Sequence, residues 1–248
     1  VAQLSVNVNK VATLRNSRGG DYPSVLDAVC TCVAAGARGI TVHPRSDERH
    51  IRRSDVYEIA SLLRQLDSTV EFNIEGDPRP DWIELVLETR PTQATLVPVR
   101  PGETTSEAGW SERTDDVSMR AIVAQLQAAG VRVSLFVDAE PAPIAWAKRV
   151  GADRIELYTE PFARAFVAGA DLGQASFERF AEAARAAHAL GLGVNAGHDL
   201  DLNNLVLFRN LPHLDEVSIG HAIIGRAVFA GLSSVVREYL ECLRVPAA

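Results

Sequence analysis

A chain of 248 residues that is 47% hydrophobic has apolar material for one large core or two small ones. Its formal net charge of −7 argues against a general nucleic-acid binder, which would be basic. Cys30, Cys32 and Cys242 are too few and too uneven for a disulfide framework, and Cys30-Thr-Cys32 has a spacing that puts its thiols on different faces of a helix. No apolar run reaches the roughly 18 residues of a membrane span, and no signal-peptide pattern is visible. A cytoplasmic protein with no membrane and no nucleic-acid partner is expected.

Leu4-Ser-Val-Asn-Val8 alternates and predicts a first strand. The polar segment after it, with Asn9, Lys10, Arg15 and Arg18, reads as a loop closed by Gly19-Gly20. Asp21-Tyr-Pro-Ser opens a helix to about Ala35, with Val25, Val29 and Val33 on one stripe. Strands are then predicted at 40–43, 70–74, 94–97, 131–137, 154–158, 192–195 and 217–219. Helices follow at 53–66, 80–87, 116–128, 141–150, 174–190 and 202–208. Two more close the chain at 223–230 and 233–243. Residues 161–168 are an insertion beyond a minimal unit, and 98–112 form a long polar loop. Eight evenly spaced strands, each followed by helical sequence, predict a TIM (β/α)8 barrel with additional helices, built as one domain over 1–248. An open doubly wound sheet is the alternative, weakened by the absence of a G-x-G-x-x-G after the first strand and of any Walker A pattern.

In such a barrel the chemistry sits at the C-terminal strand ends. These ends supply Asn7 and Asn9, His43, Glu75, Asp138, Glu156, His198, Gly220 and His221, while the strand interiors read as largely apolar. Buried charge is costly unless paired, so a merely structural barrel has no need of such ends. His43 is a candidate acid/base, because imidazole changes charge near neutral pH. A carboxylate such as Glu75 in a barrel mouth can be pushed up into the range of a base. Glu156 points either inward to function or into a buried pair. The two Gly-His pairs, Gly197-His198 and Gly220-His221, end strands and feed helices, a place where backbone N–H groups bind anions. Arg18 and Arg45 are phosphate candidates, since the guanidinium fork matches phosphate oxygens. The six histidines include no H-E-x-x-H and no cysteine cluster joins them, so no metal is expected.

These residues also carry a resemblance. Segments 7–19 (Asn7-Val-Asn-Lys-Val-Ala-Thr-Leu-Arg), 39–51 (Ile40-Thr-Val-His-Pro-Arg-Ser), 72–76 (Phe72-Asn-Ile-Glu-Gly), 105–110 (Thr105-Ser-Glu-Ala-Gly-Trp), 134–138, 155–159, 194–200 (Val194-Asn-Ala-Gly-His-Asp-Leu) and 217–225 (Val217-Ser-Ile-Gly-His-Ala) stand in order along nearly the whole chain. Together they resemble the pyridoxine 5′-phosphate synthase family. The resemblance implies a TIM barrel whose extra helices serve subunit contacts in a homo-octamer built from dimers, and no cofactor. It implies two small phosphorylated substrates, 1-deoxy-D-xylulose 5-phosphate and 3-amino-2-oxopropyl phosphate, condensed through a Schiff base and multi-residue acid/base catalysis. It further implies that His43 and Glu75 accept protons, His198 donates one and Glu156 stabilises the transition state. Asn7, Arg18, Asp199, Gly220 and His221 match contacts to the aminoketone phosphate. Asn9, Lys10, Arg45, His50 and Thr105 match contacts to the deoxyxylulose phosphate. Asn9-Lys10 stands where many relatives have Asp-His, and Asp199 where many have Gly. Lys10 cannot act as an imidazole does, and an Asp199 contact to phosphate would have to use the backbone. Two other readings stay open: a phosphosugar aldolase or isomerase, with Lys10 as a Schiff-base lysine, and a barrel that only binds phosphates.

Overall fold

A computed structural model describes residues 1–66, 69–99 and 107–244. Eight strands alternate with helices: β1 (Gln3–Asn7), β2 (Gly39–Val42), β3 (Glu71–Gly76), β4 (Gln93–Leu96), β5 (Arg132–Val137), β6 (Arg154–Tyr158), β7 (Gly193–Gly197) and β8 (Leu214–Ile219). All neighbours are parallel, in chain order, and β8 pairs back onto β1, so the sheet closes into a barrel. The helices are α1 (Asn9–Asn16), α2 (Val25–Ala35), α3 (Arg53–Leu66), α4 (Pro80–Thr89), α5 (Asp116–Ala128), α6 (Pro141–Arg149), α7 (Glu160–Ala168), α8 (Ala170–Ala189), α9 (Leu202–Phe208), α10 (His221–Ala230) and α11 (Leu232–Arg244). The predicted (β/α)8 barrel with extra helices is therefore the fold, and the open sheet is not.

Local chemistry sets the boundaries. Ser24 caps α2 by accepting from the Asp27 backbone N–H at 3.1 Å, so the helix starts at Val25 rather than at Asp21. Gly36 ends it at φ 108°, a conformation that suits a residue without a Cβ. Pro80, Pro141 and Pro161 stand in the first turns of α4, α6 and α7, where a missing N–H costs nothing. The polar stretch after β1, expected as a loop, is helix α1. Its buried face consists of Val11, Ala12 and Arg15, and Arg15 forms a bidentate bond to Asp55 at 2.5 and 2.9 Å.

The apolar core is a shell between barrel and helices. Leu4, Val6, Ile40, Ile74, Leu135, Ile155 and Val217 point outward from the strands and are fully buried, as is Trp146 of α6. Burying each such side chain contributes about 1.5–3 kcal/mol. The alternate strand positions were expected to be apolar and are mostly polar, with Phe136 and Tyr158 forming a small apolar cluster with Val97 near the mouth. Ser5, Thr41, Asn73, Gln93, Thr95, Ser134, Asn195 and Glu216 line the barrel, all nearly inaccessible. All but Ser134, whose hydroxyl has no partner among the described residues, bond within the lining: Ser5 with Thr41 at 2.7 Å, Thr41 with Asn73 at 3.3 Å, Asn73 with Thr95 at 2.9 Å, Gln93 with Thr95 and with Asn195, both at 3.4 Å, and Asn195 with Glu216 at 3.2 Å. β4 and β7 are not neighbours, so the Gln93–Asn195 bond crosses the interior. At its N-terminal end Arg132 pairs with Glu71 and donates to Gln93 at 2.9 Å. Among the described residues no helix is long and apolar enough to cross a membrane.

Candidate active site

The C-terminal strand ends gather most of the residues singled out from sequence. Glu75 is the penultimate residue of β3, and His43 directly follows β2. Their side chains meet with His43 Nδ1 3.8 Å from Glu75 Oε2. Asn7, ending β1, donates from Nδ2 to the same Oε2 at 3.5 Å, reaching past β2 to a strand that β1 does not pair with. Asn9 opens α1; its Oδ1 accepts from the His43 backbone N–H at 2.9 Å, and its own N–H donates to Asn7 Oδ1 at 3.0 Å. The two asparagines therefore fix the position of His43 from β1. Trp82 Nε1 donates to the Glu75 carbonyl at 3.0 Å, and a Cβ on Gly76 would lie 2.2 Å from that indole nitrogen, so the strand end needs glycine there.

Burial decides the protonation of this pair. It pushes the His43 imidazole down to about 3, with His50, Arg45 and Arg79 adding repulsion. It pushes the Glu75 carboxyl up to about 8, and Glu216 adds to the rise. At neutral pH the contact is thus an uncharged imidazole beside a protonated carboxyl, not an ion pair. His50 lies near, its ring 6.2 Å from that of His43 and at 67° to it. The Ile51 N–H donates to His50 Nδ1 at 2.9 Å, which leaves Nε2 to carry the proton of the neutral ring. Burial lowers His50 to about 4.

Glu156 lies inside the barrel on β6, 3% exposed, and its Oε2 has no hydrogen-bond partner. Burial first, then Glu75 and Glu216, hold it well above the usual carboxylate range, so it carries a proton. Gly197 stands against it: a Cβ there would lie 2.4 Å from Glu156 Oε1. His198 and Asp199 follow β7 with φ of 88° and 59°. His198 packs edge-on against Tyr158, with ring centroids 5.1 Å apart, and its Nδ1 lies 3.3 Å from Asp199 Oδ2. That bond lowers the Asp199 carboxyl, with burial opposing. The Asp199 carbonyl accepts from Asn204 at 3.0 Å. Gly220 precedes α10, which begins at His221 without a side-chain cap. A Cβ on Gly220 would come within 2.9 Å of the Asn7 carbonyl, so this turn presses against β1.

The remaining candidates sit at the rim. Lys10 is exposed in the first turn of α1, and Arg18 is exposed just beyond that helix. Arg45 is half-buried on the loop between β2 and α3. Thr105 lies outside the described residues. Asp138, noted at the end of β5, accepts from the Gly109 N–H at 3.3 Å and serves a loop contact. Three features escaped sequence reasoning. Glu216 is a third buried acid, pushed up to about 7. Arg79 acts on His43 from the loop before α4. The Arg15–Asp55 pair holds the His50 carbonyl, through Arg15 Nη2 at 3.2 Å, with Asn16 adding a bond at 2.8 Å. Among the described residues no group of three or more His, Cys, Asp or Glu could hold a metal ion.

A closed parallel barrel whose mouth holds an uncharged imidazole, protonated carboxyls and a helix N-terminus defines a TIM-barrel enzyme equipped for proton transfer. Residues 4–245 match the family of the pyridoxal phosphate biosynthesis protein PdxJ. The pyridoxine 5′-phosphate synthase of Bacteroides thetaiotaomicron is 51% identical over 245 residues, covering 98% of this chain and all of the relative. Those of Porphyromonas gingivalis and Leptospira biflexa are 50% and 47% identical, each over 98% of this chain and over 99% and 97% of the relative. The chain belongs to the PdxJ family and is an enzyme of it, a transferase of vitamin B6 biosynthesis. Solved structures extend the likeness of fold alone. A tryptophan synthase from Mycobacterium tuberculosis aligns with a TM-score of 0.65 at 12% identity, over 99% of this chain and 93% of that one. A phosphoribosyl anthranilate isomerase from Thermus thermophilus aligns at 0.59 and 14%, over 97% and 98%.

Proposed function

We propose that this enzyme condenses 1-deoxy-D-xylulose 5-phosphate with 3-amino-2-oxopropyl phosphate to pyridoxine 5′-phosphate, releasing phosphate and water. The observation that carries the reading is near-full-length identity of about half to enzymes of that name. The mouth supplies groups suited to it. The amine of one substrate attacks the ketone of the other and water leaves as the Schiff base forms. Protons then leave carbon and oxygen in turn, phosphate is eliminated, and an aldol-type closure loses a second water to give the aromatic ring. No single base reaches every position of a growing ring, so groups on several strands are needed.

His43 enters the reaction uncharged, the form that can accept a proton, and burial makes that form a weak base. Glu75 holds a proton at neutral pH and serves as a base once it has given that proton up. His198 is placed to protonate a departing hydroxyl. Glu156 offers a protonated carboxyl with an unpartnered oxygen, suited to a developing negative charge. The start of α10 at Gly220 and His221, with Asn7, Arg18 and the backbone of Asp199, forms the aminoketone phosphate site. Asn9, Lys10, Arg45, His50 and Thr105 form the other. Lys10, exposed on a helix rather than on a strand end, contacts phosphate and is not a Schiff-base lysine. The enzyme works in the cytoplasm as a homo-octamer of dimers.

The test is direct. Both substrates are mixed with the enzyme, pyridoxine phosphate is followed by absorbance and mass, and released phosphate is measured in parallel. Equal amounts of both products, lost in Glu75→Gln, are expected. Binding of both substrates without product would refute the reading, and borohydride trapping at Lys10 would replace it with aldolase chemistry.

A further inference from the structure

The barrel contains one buried acid that the proposed chemistry leaves unused. Glu216 lies on β8, 2% exposed, on the inward face it shares with Ser218. Register sets its level: it pairs with Gln3 of β1 and Asn195 of β7, below the strand ends at which Asn7 meets Glu75. Asn195 Nδ2 donates to Glu216 Oε1 at 3.2 Å, while Asn195 Oδ1 accepts from Arg154 Nη1 at 2.9 Å, so the carboxyl is held from a neighbouring strand. Two residues along the same face, Ser218 lies toward the Glu75 carboxyl and favours its charged form. The charges that act on Glu216 are those of Glu71 of β3, Arg154 of β6, Arg132 of β5 and, from the opposite face of its own strand, Asp215. The groups that face Glu75 are Asn7, His43, Ser218 and Glu216 itself, and Glu156 of β6 faces both acids.

We propose that Glu216 is a positioning residue for the reaction: its carboxyl, locked by Asn195 beneath Glu75, sets how readily Glu75 gives up its proton. This rests on the assignment of Glu75 as a base. Two like charges in a buried site cannot both form cheaply, so the first to ionise keeps the proton on the second. Arg154 and Arg132 favour the charge on Glu216, and Glu71 and Asp215 oppose it. The cations at the floor therefore direct the first ionisation to Glu216, and Glu75 follows at higher pH. Glu216 touches no reacting atom in this scheme and acts only through Glu75.

The experiment is the pH profile of kcat/KM for wild type, Glu216→Gln and Glu216→Asp. The amide keeps the Asn195 bond and removes the charge. Its acid limb is expected to move down by about one pH unit, so that well below the limb activity, relative to its own plateau, exceeds wild type about tenfold. Glu216→Asp, which keeps the charge, is expected to retain the wild-type limb. A purely structural role would lower stability and leave the limb in place, and an unmoved limb overturns the proposal. Should Glu216→Gln not fold, the order of ionisation is read in the wild type. In carbon-13 carboxyl spectra Glu216 is expected to titrate first and Glu75 at higher pH, with the Glu216 midpoint kept in Glu75→Gln; Glu75 titrating first overturns the proposal. Full turnover in Glu75→Gln would instead remove the assignment of the base, a result separate from either of these.

Discussion

The carboxyl of Glu75 and the imidazole of His43 depart from their ordinary values in opposite directions, and this gives each a distinct signature in stability. Glu75 titrates at about 8 in the fold and near the ordinary carboxylate value when unfolded. Between those values the folded state holds the extra proton, so its contribution to stability falls as pH rises and levels off above about 8. His43 titrates at about 3 in the fold. Between there and the ordinary imidazole value the unfolded state holds the extra proton, so its contribution is lost as pH falls. Glu75→Gln should therefore gain in melting temperature over wild type on going from about pH 5 to about pH 8, while losing about 10²–10⁴-fold in turnover. A gain that shrinks with pH would mean that Glu75 is not held protonated. Gly197 offers a second test. A methyl there falls 2.4 Å from Glu156 Oε1, so Gly197→Ala should push that acid aside at a cost of about 1–3 kcal/mol in stability and lower kcat more than it raises KM. Unaltered kcat in a folded Gly197→Ala enzyme would detach Glu156 from the reaction. His43, Glu75 and His198 were legible as residues of the barrel mouth because each closes a short β-branched run. Glu216 was not, since an acid beside Asp215 in the middle of Leu-Asp-Glu-Val-Ser reads like any solvent-facing strand position.

At the scale of elements, α1 and α3 act as a clamp on the loop that carries Arg45 and His50. Arg15 and Asp55 are both buried, joined by two bonds, and the same guanidinium and Asn16 hold the His50 carbonyl. Breaking a buried pair from one side leaves an uncompensated charge. Arg15→Ala should cost about 3–5 kcal/mol in denaturant melts, and Arg15→Met with Asp55→Leu should recover much of it. The single variant should also raise KM for the deoxyxylulose phosphate more than for the aminoketone; equal effects on both would show that the clamp does not orient that loop. All eight strands were legible, as were most helices that carry an apolar stripe, because both periods are written in the same apolar residues. α7 was read only as an insertion, and α1 was read as a loop. Its buried face has only Val11, Ala12 and an ion-paired arginine, too little contrast to separate a helix from a polar loop. Ends shifted where a cap decided them, as at Ser24, which lies outside the periodic pattern.

For the whole molecule, the helices beyond the eight barrel partners leave large apolar side chains in the open. Phe229 and Val228 on α10 are 93% and 69% exposed, and Val167 on α7 is 86% exposed. Assembly through these helices should give a mass by light scattering of eight times 26.8 kDa, and Phe229→Lys should reduce it; a monomer in both would exclude the proposed octamer. The polar lining of the barrel was hidden for a reason that is also global. Alternation in a strand shows that two faces differ, but it does not say whether the polar face meets solvent or the inside of a closed sheet. That lining has a further consequence. Because the stabilising apolar contacts lie outside the strands, the inner wall is nearly independent of what keeps the chain folded. Ser5→Ala, which leaves Thr41 its bond to Asn73, should cost only about 1 kcal/mol in unfolding free energy, whereas truncating Leu4 or Ile40 should cost about 2–5 kcal/mol. An architecture divided in this way can exchange one set of inner functional groups for another without rebuilding its frame, and so leaves lineages room to revise catalysis while foldability is conserved.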